Sequence, residues 1–252
     1  YTNNLTVTNN NFSGNVSFGN VTGIYIDGKA MNVECNYNTF TLNYTGAVRV
    51  FPIYARNVSE GTTNITNYHH NTVSNVTLAA GAMALYPMQF GVGASFNIYD
   101  NTVTNNTVGS AIVNNNTGFF GFAVFRHPGT GTSSEMNVYN NVFSGNNALS
   151  LTPQGGAFQL FNLLDYNTAG DPAGPAMNVY NNIIENISIN TEEKVDGIYA
   201  WNNSSMNIHD NIVRNIETWG QTSGIRTLGQ KSDALFKIVW PARAVLAANT
   251  KI

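Results

Sequence analysis

Hydrophobic and polar residues alternate along one short phrase that recurs through the chain. In residues 136–143 the apolar Met136 and Val138 are separated by Asn137, and Tyr139 follows them. A period of two is typical of a strand with one buried face. The Asn140–Asn141 pair comes next, and Asn tolerates a left-handed backbone better than most residues. A second apolar pair follows, so the phrase predicts a strand, a tight bend and another strand.

The same phrase recurs at residues 96–103, 177–184 and 206–213, with looser copies at 5–12, 35–40 and 66–73. The second Asn of each pair returns at intervals of 28 to 41 residues. A recurrence of this length is typical of solenoids and propellers. The recurring positions are Asn10, Asn38, Asn71, Asn101, Asn141, Asn182 and Asn211.

Several repeats carry a third apolar run, such as residues 23–26, 47–51, 157–161 and 197–201. Two or three short strands per repeat, with no helical stretch between them, predict an all-β fold: a parallel β-helix of about seven coils. Equivalent residues of neighbouring coils would then lie roughly 4.8 Å apart. At that distance the recurring Asn amides can hydrogen-bond to one another as a continuous ladder.

The repeat ends near residue 229, which divides the chain into a β-helix over 1–229 and a cap or tail over 230–252. The last segment has no Asn pair and contains several Lys and Arg residues. Ser232 or Asp233 could begin a short helix that Pro241 interrupts. We expect a short helical cap or an irregular tail there.

The phrases Asn-Val-Tyr-Asn-Asn-Ile-Ile-Glu-Asn-Ile (178–187) and Val-Asp-Gly-Ile-Tyr (195–199) resemble repeats of secreted right-handed parallel β-helix proteins, the pectin-lyase-like superfamily. The Asn-rich composition of these repeats resembles that of surface proteins of the Bacteroidetes type. The resemblance covers residues 1 to about 228. It implies a right-handed helix and an extracellular or cell-surface location, but it does not choose among lyases, hydrolases, adhesins and structural modules.

The composition excludes several classes of protein. Only 10% of the 252 residues are charged and the net charge is −3, so no basic surface for nucleic acid is expected. No apolar run is long enough to span a membrane. Cys35 is the only cysteine, which excludes a disulfide framework, and its alternation position predicts a buried side chain. We expect no cofactor and no metal.

Stacked third strands would align their outward side chains into a groove for an acidic polysaccharide. Aromatic and Arg side chains suit sugar rings and uronate carboxylates. The alternative is an ordinary solenoid surface, which must also expose some polar and aromatic groups. The candidate ligand-binding residues are Asp27, Arg49, Arg126, Asp165, Trp201 and Arg226.

No catalytic constellation is evident. Glycoside hydrolysis needs two carboxyl groups within about 5–9.5 Å, whereas the acidic residues here are scattered. Arg126 with His127 could serve a lyase. Asp100 and Asp210 replace Asn at the bend. His69 and His70 should point to opposite faces of a strand, which disfavours a two-His metal site.

Two further features bear on the surface. Thr6, Thr8, Thr102 and Thr104 hint at the threonine ladder of an ice-binding solenoid, but Asn, Tyr, His and Arg interrupt it in the tightest repeats. His209 stands where Tyr139 and Tyr180 stand, which predicts an exposed strand residue. Candidate N-glycosylation triplets begin at Asn4, Asn11, Asn15, Asn20, Asn43, Asn57, Asn64, Asn75, Asn105, Asn115, Asn186, Asn202 and Asn203.

The sequence therefore favours an extracellular or cell-surface β-solenoid with a structural or adhesive role, which could self-associate through its ends into a fibre. The alternative is a carbohydrate-active β-helix enzyme, a polysaccharide lyase, or a glycan-binding module for an acidic polysaccharide.

Overall fold

The computed structural model describes residues 4–16, 21–28, 32–58, 65–90, 95–109, 111–112, 119–127, 135–149, 151–152, 158–165, 177–190, 192, 194–202, 206–229 and 236–239. These residues form 25 β-strands and no helix. Every pairing between the strands is parallel, and each strand pairs with its equivalents in neighbouring repeats. The fold is a parallel β-solenoid, as predicted.

The recurring phrase forms the first strand of each coil, and these strands make an eight-stranded sheet, the first sheet. Eight strands are one more than the number of coils predicted from the Asn column. The sheet contains β1 (Leu5–Thr8), β4 (Val33–Asn36), β6 (Ile65–His69), β9 (Ser95–Tyr99), β14 (Met136–Tyr139), β19 (Met177–Tyr180), β22 (Met206–His209) and β25 (Phe236–Val239).

The second and third strands of the coils belong to one 15-stranded sheet that continues around the corners of the solenoid. Its strands are β2 (Asn11–Val16), β3 (Val21–Gly28), β5 (Thr39–Val58), β7 (Thr72–Ser74), β8 (Thr77–Phe90), β10 (Thr102–Thr104), β11 (Thr107–Val108), β13 (Phe119–His127), β15 (Val142–Ser144), β16 (Asn147–Ala148), β18 (Phe158–Asp165), β20 (Ile183–Ile189), β21 (Val195–Asn202), β23 (Ile212–Thr218) and β24 (Thr222–Gly229). A two-stranded sheet pairs β12 (Ala111–Ile112) with β17 (Leu151–Thr152).

The C-terminal prediction was partly wrong. Phe236–Val239 forms a strand that pairs with β22, where a short helix was expected. The apolar–polar alternation of these four residues matches the first sheet, and the exposed edge of β22 offers unpaired backbone groups. The rest of the predicted cap, at 230–235 and 240–252, lies outside the described residues.

Left-handed residues turn the chain at two bends, the first bend in seven coils and the second bend in five of them. The first bend lies between the first and second strands, where residues such as Asp100, Asn140 and Asp210 have φ of 54°, 55° and 53°. Asp100 and Asp210 thus replace Asn at the turning position, as the sequence indicated. The second bend follows the second strand, and there Asn105 has φ of 57° and Gly145 has φ of 67°. An apolar core fills the space inside, with Val103, Phe143 and Ile184 at most 2% exposed.

Candidate functional site

The buried Asn column forms the continuous ladder that the sequence predicted. In each step the backbone N–H and the side-chain Nδ2 of one Asn both donate to Oδ1 of the Asn in the next coil. For Asn101 and Asn141 these distances are 3.1 and 2.9 Å. The same pair of bonds joins Asn10, Asn38, Asn71, Asn101, Asn141, Asn182 and Asn211 in sequence.

Each ladder amide between Asn38 and Asn182 uses its whole hydrogen-bonding capacity, as Asn141 shows. The second N–H of Asn141 Nδ2 donates to the carbonyl of Ile98 at 3.0 Å, while its Oδ1 accepts two bonds from Asn101. An amide has two N–H donors and an oxygen with two lone pairs, so no polar atom of Asn141 is left without a partner. A carboxylate could accept but not donate, which explains why Asp stands beside this column and not within it.

A second ladder, which the sequence analysis missed, lies on the outer face of the first sheet. Asn97 Nδ2 donates to Oδ1 of Asn67 at 3.0 Å, and Asn137, Asn178 and Asn207 continue the series at 2.9 Å per step. Glu34 takes the N-terminal position and accepts from Asn67 at 3.0 Å. The signal was in the sequence, because an Asn precedes the Tyr or His of the recurring phrase by two residues.

Aromatic rings stack along the same outer face, two residues further along each strand. Tyr99, Tyr139 and Tyr180 stack with centroids 5.0 Å apart and ring planes within 2° of parallel. His69 stacks on Tyr99 at 4.5 Å, and His209 stacks on Tyr180 at 5.2 Å. His209 is therefore half-buried in a stack, which corrects its prediction as a simply exposed strand residue. Since neighbouring rings cover each other's faces, the inner rings offer only their edges to a ligand.

A cluster of ionisable groups surrounds the N-terminal end of the ring stack. His69 Nε2 contacts Glu34 Oε1, and His69 Nδ1 lies 2.7 Å from His70 Nδ1. His70 Nε2 lies 3.8 Å from Asp100 Oδ2. Burial alone would raise the pKa of Glu34, but hydrogen bonds from Asn67, His69 and Asn36 outweigh it and lower that pKa.

The prediction that His69 and His70 point to opposite faces was wrong. His70 has φ of 53°, so it is the turning residue of the first bend and is not part of an extended strand. The left-handed turn brings the two rings together. Even so, no group of three or more His, Cys, Asp or Glu side chains among the described residues is arranged to hold a metal ion.

The six predicted ligand-binding residues all lie in third strands or directly in line with them. The strand register pairs Arg126 with Asp165, and Leu164, the neighbour of Asp165, with Trp201. Asp27 pairs with Arg56 and, through the intervening coils, lies in the column of Leu164 and Trp201. Arg49 pairs with Ala82 and lies in another column. The side chains of Asp27, Arg49, Arg126, His127 and Asp165 lie outside what the structure describes, whereas Trp201 is half-buried.

Arg226 is held by groups of the chain itself. Its Nη1 donates to Oδ2 of Asp196 at 3.1 Å, and its guanidinium carbon lies 5.1 Å from the centre of the Tyr199 ring. Asp196 is fully buried, with Lys194 Nζ 3.6 Å from its other oxygen. Desolvation by burial raises the pKa of Asp196, although Arg226 and Lys194 act in the opposite direction. Arg226 therefore neutralises a buried carboxylate and is less free to bind a uronate than the sequence suggested.

Cys35 is a buried core residue, as predicted. It is 0% exposed, and burial raises the pKa of its thiol to about 12. Among the predicted glycosylation sites, Asn4, Asn11, Asn15, Asn43, Asn75, Asn105 and Asn186 are exposed. The side chains of Asn57 and Asn202 lie outside the description, as do residues Asn20, Asn64, Asn115 and Asn203. Whether any triplet carries a glycan stays a prediction.

The threonines that suggested an ice-binding ladder belong to two different sheets. Thr6 and Thr8 lie in β1 of the first sheet, and they pair with Glu34 and Asn36. Thr102 and Thr104 lie in β10, on the second strands, and they pair with Thr72 and Ser74. The Asn, Tyr and His residues that interrupted the predicted ladder lie in the first sheet, whereas Arg214 lies on a second strand, in the column of Thr104. The second strands therefore form a separate surface.

The fold and these ladders define a parallel β-solenoid with an internal asparagine ladder. No protein-family model matches the chain, and neither a curated protein nor a solved structure matches it. In the part of the chain that the structure describes, no helix has the length and apolar character needed to cross a membrane.

Proposed function

We propose that the chain is a rigid structural or adhesive module that acts outside the cell or at the cell surface. The observation that carries this proposal is the alignment of the buried amides, the surface amides and the aromatic rings along one axis. The stacked rings remain within 2° of parallel from Tyr99 to His209. Because the polar atoms and ring faces of these columns are used between coils, they stabilise the solenoid and leave few groups for catalysis. The location rests on the resemblance to secreted β-helix proteins.

Hydrogen exchange tests the rigidity. The backbone N–H of each ladder Asn donates to a buried Oδ1, so its exchange should require global unfolding. We expect the N–H groups of Asn71, Asn101 and Asn141 to exchange together at the slowest measured rate. The exposed Asn105, at the second bend, should exchange faster. Fast and independent exchange of the three ladder N–H groups would contradict the proposal.

End-to-end association is part of the same proposal. The first coil covers its apolar residues less completely than the next one: Leu5 and Val7 are half-buried, while their partners Val33 and Cys35 are at most 1% exposed. Among the described residues no strand pairs with the outer edge of β1, so this edge could pair with one more parallel strand. A second copy of the chain that places its last coil on this edge would bury the side chains of Leu5 and Val7 and would pair with the backbone of β1.

Sedimentation and electron microscopy at rising concentration test this association. We expect wild type to form end-to-end oligomers and Val7→Asp to reduce them, because Val7 lies on the inward side of β1. Thr6→Asp is the matched control, since Thr6 is exposed on the outward side of the same strand. Strictly monomeric wild type, or equal loss in the two variants, would count against stacking.

Glycan binding or lyase activity at the third strands is the second candidate function. It is favoured by the register that pairs Arg126 with Asp165. Trp201 lies on the next strand, one residue out of that column. Anionic polysaccharides should be screened for binding and for the absorbance of an unsaturated uronide, with wild type, Arg126→Ala and Trp201→Ala. Arg214→Ala is the control, because Arg214 is an exposed Arg on a second strand, paired with Glu185. If no polymer binds or is cleaved, this candidate fails.

A further inference from the structure

The second strands carry a regular outward array of hydroxyl side chains. Thr39 pairs with Thr72, Thr72 pairs with Thr102, and Ser74 pairs with Thr104. All of them are half-buried and alternate with the buried Phe40, Val73 and Val103, so they point outward. We call this array the hydroxyl face, and it consists of Thr39, Thr41, Thr72, Ser74, Thr102 and Thr104.

The hydroxyl face is a two-dimensional lattice. Neighbouring coils lie about 4.8 Å apart, and alternate residues of a strand lie about 6.6 Å apart. A twisted sheet would distort such a lattice, but rings that stack between coils in this part of the solenoid are close to parallel: the ring planes of Phe12 and Phe40 differ by 4°, and those of His69 and Tyr99 differ by 10°. The hydroxyl groups are therefore repeated by translation from coil to coil.

The chemistry of this lattice is uniform. Each Thr presents one hydroxyl and one methyl group, and none of the six residues is charged. The first charged side chains in their columns are Glu185 and Arg214, beyond Ser144. No hydrogen bond joins the six hydroxyls to another side chain within the described part of the chain. Each hydroxyl can donate one hydrogen bond and accept two, so water must satisfy them.

We propose that the hydroxyl face binds the surface of ice. Regularly spaced hydroxyls hold water molecules at lattice positions, while the methyl groups between them limit where else water can lie. An uncharged sheet surface of this kind has neither the concavity of a small-molecule pocket nor the exposed ring faces that bind sugars. The column of Thr39, Thr72 and Thr102 continues through Val142 and Ile183, which are apolar and carry no hydroxyl.

Thermal hysteresis and inhibition of ice recrystallisation test the proposal with the purified chain and pure ice. Adsorption of the fluorescently labelled protein to a single ice crystal gives a third readout. We expect wild type to be active in all three measurements. Thr102→Tyr should lose the activity, because a ring would project from the face and keep a flat ice surface away from the neighbouring hydroxyls. Thr8→Tyr is the matched control, as Thr8 is an exposed Thr on the first sheet, in the column that already contains rings.

Circular dichroism and the Tm of both variants show whether they fold. Ser74→Tyr tests the same face if Thr102→Tyr does not fold. Activity in wild type that is lost in the face variant and kept in Thr8→Tyr supports the proposal. It is overturned by wild type without ice activity, by equal loss in Thr8→Tyr, or by adsorption to crystalline polysaccharide and not to ice.

Discussion

The two bends of each coil use the same backbone turn but different side chains. Both contain a left-handed residue followed by a residue that points inward. At the first bend that inward residue is Asn in seven successive coils, whereas at the second bend it is Asn only at Asn106 and Asn146. Val76, Ile187 and Ile216 take the other places. The turn thus requires a left-handed residue but does not require an amide ladder.

The residues that precede the two bends also differ. Rings precede the first bend, from His69 through Tyr99 and Tyr139. Hydroxyls precede the second bend, at Ser74, Thr104 and Ser144. The first bend therefore contains the contacts that fix one coil on the next, while the second bend adjoins a surface whose hydroxyls are left to solvent. Within one coil, stability and surface chemistry are carried by different corners.

Replacing Asn141 by Ala should give the largest loss of stability. The variant loses four hydrogen bonds and leaves the buried donors of Asn101 without an acceptor. We expect the free energy of unfolding to fall by about 3–5 kcal/mol in a denaturant titration. The control is Asn137→Ala in the half-buried surface ladder, where water replaces the lost partners and the loss should be about 1 kcal/mol or less. Equal losses would show that burial of the first ladder is unimportant.

Removing the central ring of the stack tests the other component of the first bend. Tyr139 stacks on Tyr99 and on Tyr180 at 5.0 Å, so Tyr139→Ala removes two ring contacts. At about 0.5–1.5 kcal/mol per contact, the expected loss is about 1–3 kcal/mol. His209→Ala should cost about half as much, because His209 has only Tyr180 as a ring partner among the described residues. Thermal denaturation of both variants is the measurement.

Extending the Asn106–Asn146 ladder of the second bend by one coil should leave the free energy of unfolding nearly unchanged. Ile187→Asn places an amide one coil beyond Asn146, where its Oδ1 could accept from the Asn146 backbone N–H and Nδ2. These new bonds offset the lost burial of Ile187, so we expect a change within about 1 kcal/mol. Ile184→Asn is the control, because its strand position in the core offers no ladder partner, and it should cost about 3 kcal/mol or more. A large loss at Ile187 would show that the two bends differ in shape as well as in side chains.

Tyr37→Asn should stabilise the protein. Tyr37 is 52% exposed and turns the first bend with φ of 53°, a conformation that Asn adopts more readily. The gain should be about 0.5–1 kcal/mol, reduced by the lost contact with the His70 ring, whose centroid lies 4.9 Å away. A chemical-denaturation midpoint at or below that of wild type would argue against strain at this turn.

The smallest expected effect is the pH dependence due to Glu34. Its folded-state pKa lies below the ordinary value of 4.5, so it stabilises the fold above that pH. The contribution is lost as pH falls through the lower, folded-state pKa. The difference in Tm between wild type and Glu34→Gln should therefore be positive at neutral pH and shrink below about pH 4. A difference that grows as the pH falls would reverse the sign of this assignment.

The sequence was sufficient to predict the solenoid and its buried ladder, because equivalent residues recur in each coil and make the same contact between neighbouring coils. Asn101, Asn141 and Asn182 each follow a left-handed residue and an alternating strand, so local pattern and stacking agree. The contact between His69 and His70 could not be predicted in this way, since an extended backbone was assumed where His70 turns the chain. The strand at Phe236–Val239 was missed for another reason: it lacks the Asn pair, and its four alternating residues are too few to predict a strand without the edge of β22 on which they pair.

The candidate surfaces show the same limit. Thr6 and Thr102 look equivalent in sequence because both begin a Thr-x-Thr group, yet a bend separates their positions in the coil. Which sheet a residue belongs to depends on how many residues separate it from the preceding bend, and composition does not carry that information. The alignment of Arg126 with Asp165 likewise depends on the length of the segment between them.

The buried amides all have the same orientation along the axis, because each Asn donates its backbone N–H and one Nδ2 proton to the Oδ1 of the following coil. Any whole coil could therefore be duplicated or deleted, and every amide next to the new junction would still find its complement. Mutations that duplicate or delete whole repeats would therefore cost little stability, so the length of such a solenoid can evolve independently of its cross-section.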